Sequence, residues 1–155
     1  MARKINLVIG SDHRGYKLKN AIEKHLVPIG KDIEKDIVTY FNCGCYDQKK
    51  KVDYPDVVKK LAEEITAGTF DTGILVCGSG FGVAIAANRF PKIRAVTVRT
   101  AKEAEMARLH NDANVLCLGA DFTLTNEAIK IIDVFLTTEF EGGRHKKRVD
   151  MLGKM

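Results

Sequence analysis

Five short apolar runs, each followed by a stretch of helical period, constrain this 155-residue chain more than any other feature. Residues 4–10 (Lys-Ile-Asn-Leu-Val-Ile-Gly) read as strand, and residues 14–27 then place Leu18, Ile22 and Leu26 on one helical face. Residues 33–41 read as a weaker, partly polar strand suited to a sheet edge. Asp53 is placed to cap the next helix, with Pro55 in its first turn, Val57, Val58, Leu61, Ala62 and Ile65 as its stripe, and Gly68 as its stop. A buried strand, Gly73-Ile-Leu-Val-Cys77, leads through a glycine-rich loop into a helix reaching Asn88. Residues 93–98 are strand, 101–110 helix, 114–119 strand and 125–140 an amphipathic helix. Strands alternating with helices predict an α/β fold, a Rossmann-like three-layer sandwich around a central five-stranded parallel sheet. No repeat, low-complexity linker or boundary interrupts the pattern. Residues 1–155 therefore read as a single domain, with 141–155 as a C-terminal helical arm beyond the Gly142-Gly143 hinge.

Composition excludes several classes. With 45% hydrophobic and 29% charged residues, the chain has enough core to fold without disulfides or metals. No apolar stretch approaches the roughly 18 residues of a membrane span, and Leu7-Val8-Ile9 is too short for a signal-peptide core. A cytoplasmic chain is expected. The net charge of +5 is scattered apart from Lys49–Lys51 and Arg144–Arg148, without aromatic interleaving; it fits an anionic small molecule equally well and decides little alone, and neither nucleic acid nor a membrane is expected as a partner. Cys43 and Cys45 form a C-x-C without a second pair at zinc spacing, and the histidines are not spaced as ligands, so reduced thiols and no metal are expected.

In open parallel sheets ligands bind beyond the carboxyl ends of the strands. Three segments are candidates there: Gly10-Ser11-Asp12-His13, Cys77-Gly78-Ser79-Gly80-Phe81-Gly82, and His110-Asn111-Asp112-Ala113-Asn114, which ends a helix just before the last strand. Fold geometry can bring them together. Glycines between strand and helix let backbone N–H groups point at an anion, although a plain tight turn reads the same way. A dinucleotide fingerprint fails, because the third glycine position is Val83. Cys77 could be inert packing, but a helix N-terminus favours thiolate, which makes it a candidate base or nucleophile. His110 could simply complement a helix C-terminus, and His13 could satisfy a turn. Arg144 and Arg148 share a helical face, either as a solvated tail or as a clamp on a phosphate. His25, His145, Cys43, Cys45 and Cys117 read as structural.

Taken together, these residues resemble the family of ribose-5-phosphate isomerase type B and galactose-6-phosphate isomerase nearly end to end. The carriers are Gly10-Ser11-Asp12-His13-Arg14-Gly15, Val52-Asp53-Tyr54-Pro55, Cys77 to Gly82, Ala86-Ala87-Asn88-Arg89, His110 to Asn114, and Glu141-Gly142-Gly143-Arg144-His145. The resemblance implies a homodimer or tetramer with active sites shared between subunits. It also implies interconversion of an aldose phosphate and a ketose phosphate through a cis-enediol(ate), without metal or organic cofactor. Carried over by position, Cys77 is the base between carbons 2 and 1, Ser79 assists at the neighbouring oxygen, and His110 opens the furanose ring. Asp12 and Asn111 hold sugar hydroxyls, the amides of Gly78, Gly80, Phe81 and Gly82 face the enediolate oxygen, and His13, Arg144 and Arg148 hold the phosphate.

One branch of the family uses a glutamate as base where this chain has Val83, so the cysteine branch is indicated. Two departures bear on substrate. Asp121 stands where many members carry an arginine, and residues 41–51 are longer and more basic than usual. The expected reaction is ribose 5-phosphate to ribulose 5-phosphate. The alternatives are a six-carbon sugar phosphate (galactose or allose 6-phosphate) and a non-catalytic sugar-phosphate sensor.

Overall fold

A computed structural model describes residues 4–27 and 37–155. Its elements follow in the order β1 (Ile5–Ser11), α1 (Tyr16–Leu26), β2 (Ile37–Asn42), α2 (Tyr54–Thr66), β3 (Thr72–Cys77), α3 (Phe81–Ala87), β4 (Ala95–Thr97), α4 (Ala101–Asn111), β5 (Val115–Gly119), α5 (Thr125–Thr137) and α6 (Gly143–Leu152). The strands form one parallel sheet in the order β2-β1-β3-β5-β4.

Every residue of β3 and β5 is buried, which is why both read as continuous apolar runs: parallel strands covered on both faces have no solvent side. Successive side chains divide between two cores. Leu7, Ile9, Ile74, Val76, Leu116 and Leu118 pack with the stripes of α1, α4 and α5. Val8, Leu75, Cys77, Val115 and Cys117 pack with α2 and α3. Each fully buried aliphatic side chain contributes about 1.5–3 kcal/mol relative to exposure. The polar strand β2 lies at the edge, as its sequence predicts. Residues 33–36 of its predicted span lie outside the described residues. No helix among the described residues is long and apolar enough to cross a membrane.

The boundaries depart from expectation for identifiable reasons. The first helix starts at Tyr16 rather than residue 14, because Asp12 Oδ1 accepts the N–H groups of Arg14 (2.9 Å) and Gly15 (3.0 Å) and holds a turn there. Strand β4 is shorter than 93–98, since the Arg94 N–H donates to the Asn114 side chain at 2.8 Å. Helix α5 stops at Thr137, where the hydroxyls of Thr137 and Thr138 each donate to a carbonyl four residues back, at 2.7 Å. Asp53 does precede α2 but makes no side-chain capping bond, and Gly68, at φ +82, follows the helix end. The charged tail is helical and is not wholly free. Helix α6 packs on α4 through buried His145.

Candidate active site

The chain runs from β1 to one neighbour, β2, and later to the other, β3. The carboxyl ends of β1 and β3 therefore flank the point where strand order reverses, the place where open α/β sheets form a crevice. In register Ser11 lies beside Val76, and the Asp12 N–H donates to the Val76 carbonyl at 3.2 Å. This sets Asp12, 7% exposed, one strand away from Cys77, 4% exposed. The Val52 backbone N–H and C=O both lie against His13 Nδ1, at 3.2 and 3.3 Å, so Nε2 is the ring nitrogen left for a ligand.

The loop after Cys77 is shaped by contacts that leave no room for side chains. Gly80 caps α3 at φ +80, a conformation costly to residues with a Cβ. Its N–H donates to Cys77 Sγ at 3.1 Å, and its carbonyl accepts from the Thr97 hydroxyl at 2.7 Å. The Phe81 N–H is turned toward Ser79 Oγ at 3.2 Å. A Cβ on Gly119 would stand 2.4 Å from the Ser79 carbonyl oxygen, so β5 supports the loop from beneath. The sulfur thus sits at the N-terminus of α3, with the Gly80 amide donating to it.

Sequence spacing does not predict that Arg14, Asp121 and Tyr54 meet this loop. The Arg14 guanidinium lies over Gly78, where a Cβ would be 2.7 Å from Cζ, and it pairs with Asp121. The Asp121 N–H in turn donates to the Gly78 carbonyl at 2.9 Å, so Asp121 belongs to the rim of the loop. The Tyr54 ring stands where a Cβ on Gly82 would be 2.7 Å away. Lys19 is a buried cation whose Nζ donates to Asn42 Oδ1 (3.0 Å) and the Cys45 carbonyl (2.9 Å). It ties the 42–45 segment beside Ser11, whose N–H donates to the Gly44 carbonyl. Burial holds the Lys19 pKa below its usual value, against the attraction of Glu23.

His110 and Asn111 are elsewhere, so folding of one chain does not bring all three segments together. Helix α4 runs antiparallel to the strands, so its C-terminus is level with the start of β5. Gly73 is in register with Val115 and Cys77 with Gly119, a separation of about 13 Å at about 3.3 Å per residue. The His110–Asn114 turn is built at that far edge. Asp112, at φ +46, accepts from Arg94 and Arg108, and the Gly73 N–H donates to the Asn114 carbonyl at 2.8 Å. A hollow of about 430 Å³ opens beside it, lined among others by Arg94, Arg108 and Asn114. The signal for this was in the sequence: the segment precedes its strand instead of following one. Arg144 and Arg148 are exposed on α6 at the same edge, with His145 stacked on His110.

One chain therefore presents two groups of candidate residues, a thiol half and a histidine half, at opposite ends of the strands. The thiol half holds Asp12, His13, Cys77, Ser79 and the loop amides. The histidine half holds His110, Asn111, Arg144 and Arg148.

Known proteins resemble this chain over almost its whole length. The family model described as Ribose/Galactose Isomerase matches residues 7–152. Ribose-5-phosphate isomerase B of Escherichia coli is 37% identical over 146 residues, covering 94% of this chain and 93% of that protein. The crystal structure of the Thermotoga maritima ribose 5-phosphate isomerase superposes with a TM-score of 0.89 at 36% identity, covering 99% of this chain and 100% of that one. The Mycoplasma genitalium ribose-5-phosphate isomerase B, solved with bound ribulose-5-phosphate, gives 0.87 at 39% identity, covering 96% and 94%.

Proposed function

We propose a reaction on a fixed premise: this chain belongs to the ribose/galactose isomerase family. It is an aldose–ketose isomerase, interconverting ribose 5-phosphate and ribulose 5-phosphate. The observation that carries the mechanism is Cys77 Sγ at the N-terminus of α3, receiving the Gly80 N–H at 3.1 Å, with Asp12 one strand away.

The Cys77 thiolate removes the proton from carbon 2 of the open-chain aldose. The C–H electron pair becomes the carbon 1–carbon 2 double bond, and the carbonyl pair moves to oxygen 1. Amides of the Gly78–Gly82 loop stabilise that oxygen, as donors preorganised at a developing charge do. Ser79 passes the hydroxyl proton from oxygen 2 toward oxygen 1. The thiol then returns its proton to carbon 1, so base and acid are one group and no net proton is consumed. Asp12 and Asn111 hold sugar hydroxyls; His13, Arg144 and Arg148 hold the phosphate.

A site that needs His110 for ring opening is completed by a second copy, whose histidine half faces the first chain's thiol half. The separation of the halves within one chain supports this. So does the apolar surface beside the loop, where Phe81, Ile85, Phe122 and Leu124 are 48%, 67%, 58% and 74% exposed. Arg14, held over Gly78 and partnered by Asp121, supplies a guanidinium at the loop although position 121 is acidic.

Purified protein supplied with ribose 5-phosphate should form ribulose 5-phosphate with a higher kcat/KM than for six-carbon phosphates. Cys77→Ala should lose nearly all turnover while still binding the sugar phosphate. Mixing Cys77→Ala with His110→Ala should restore activity, because one of the two mixed sites regains both groups. Undiminished turnover by Cys77→Ala would remove the base assignment, and a failure of mixing between dimers shown to exchange subunits would remove the shared site.

A further inference from the structure

The end of α4 and the start of α6 bring together two histidines far apart in sequence. The Glu141 N–H donates to the Leu109 carbonyl at 3.1 Å, and the imidazoles of His110 and His145 stack at 4.3 Å between centroids, 14° from parallel. Stacked this way they turn the same edge toward one carboxylate. His110 Nε2 lies 3.8 Å and His145 Nε2 3.7 Å from the same oxygen, Glu141 Oε2. One coordinating atom from each of the three residues lies within 4.8 Å of the others. His145 is only 9% exposed, and its Nε2, sealed from solvent and facing that carboxylate, has no hydrogen-bond partner among the described residues. Buried ring nitrogens are normally satisfied, so one left without a partner asks for a ligand.

We propose that His110 Nε2, His145 Nε2 and Glu141 Oε2 form a site for a borderline divalent transition cation, typified by Zn²⁺, and that its occupation silences the isomerase. Two imidazoles and one carboxylate are a donor set this ion takes, with a water in the fourth position. Around a tetrahedral ion with bonds of about 2.05 Å, ligand atoms stand roughly 3.3 Å apart. The two nitrogen–oxygen distances are within about half an ångström of that, and the rings converge on an ion by rotation of His110 and Glu141, 30% and 57% exposed. Mg²⁺ and Ca²⁺ are poor occupants because they favour all-oxygen shells. Ligation needs neutral imidazole.

The inhibitory consequence rests on the isomerase reading above. A ligated His110 Nε2 has no lone pair to exchange protons with a sugar ring oxygen, and the ion pins the helix carrying Arg144 and Arg148 onto α4. Occupation therefore removes ring opening and restrains the phosphate-holding arm together.

CoCl₂ added to the purified protein tests the site directly. The expected result is one ion per chain, with a visible d–d spectrum of nitrogen and oxygen ligation and no thiolate-to-cobalt charge-transfer band. ZnCl₂ affinity, measured by competition with a chromophoric chelator, should fall at least about tenfold in His145→Asn and in Glu141→Gln, and stay unchanged in Cys77→Ala. Zinc should inhibit turnover of ribose 5-phosphate reversibly to EDTA, while His145→Asn keeps zinc-free turnover and loses the inhibition. Circular dichroism checks the fold, and if His145→Asn does not fold, Glu141→Gln, at an exposed residue, decides. A thiolate band, no stoichiometric ion, or equal affinity in the folded variants overturns the site. Turnover by the metal-free protein without any cobalt binding sinks the site alone; cobalt binding by a protein that shows no turnover even after EDTA treatment sinks the isomerase reading alone.

Discussion

Gly80→Ala is the sharpest perturbation of the thiol half, because two separate costs can be worked out for it. Gly80 has φ +80 and ψ −7, and a residue with a Cβ loses about 1–2 kcal/mol in that left-handed region. The added methyl would also stand 2.9 Å from Thr97 Cγ2 and 3.0 Å from Gly119 N and the Leu118 carbonyl carbon, against about 3.5–4.0 Å for ordinary contact. Two of those three atoms are backbone of β5, the buried strand beneath the loop, so they cannot yield cheaply. Overpacking of this kind costs about 1–3 kcal/mol, which brings the total to about 2–5 kcal/mol. For a chain of this length that lowers Tm by roughly 4–20 °C. Turnover should suffer beyond stability, since relief of the clash pulls the Gly80 N–H off Cys77 Sγ and its carbonyl off the Thr97 hydroxyl. A displacement near 1 Å of a catalytic group costs on the order of 100-fold in rate. Urea unfolding at fixed protein concentration, with initial rates on ribose 5-phosphate at a temperature where the variant is folded, reads both effects. Gly80→Asn should recover part of the backbone cost and none of the clash. A Gly80→Ala protein within about 0.5 kcal/mol of the parent and fully active would show that this glycine does not set the loop.

Three further outcomes follow from the same structure. Burial pushes the Cys43 thiol from 9.0 up to about 11. The unfolded chain therefore loses that proton first, and stability falls as pH rises through that window; the contribution is whole below pH 9 and gone above 11. It amounts to about 3 kcal/mol, so Cys43→Ala should flatten the alkaline loss of stability by up to that much, and an unchanged pH profile in urea titrations would refute it. Thr100→Ala removes the hydroxyl that accepts the Glu103 N–H in the capping box of α4 and should cost about 1 kcal/mol; a change below about 0.3 kcal/mol would mean the cap is idle. Lys19→Met takes the donor from the Cys45 carbonyl, while Asn42 Oδ1 keeps the Gly44 N–H, and should cost about 1–3 kcal/mol for the acceptor left buried, visible as a lower urea midpoint at unchanged slope.

Much of the site was legible because backbone logic carries it. A strand–glycine–helix passage puts Cys77 at a helix N-terminus, and two adjacent parallel strands put Asp12 beside it. Arg14, Lys19 and Asp121 were not legible as neighbours. Arg14 meets Gly78 and Asp121, and Lys19 meets Asn42 and Cys45, across separations that no periodicity encodes. The pairing of His110 with His145 was hidden for the same reason, although each lies in a recognisable motif.

By itself the sequence determined the class of fold and the chemistry of its loops. Apolar period and turn residues act locally, so strands buried on both faces, helix stripes and the Cys77 loop are written in short stretches of chain. Only the tertiary structure decided which loops share an edge of the sheet. Because α4 returns antiparallel to the strands, His110 finishes about 13 Å along the strand direction from the level of Cys77. Direction of travel through the layers is a long-range property, and it divides the candidate residues into two groups that one chain keeps apart.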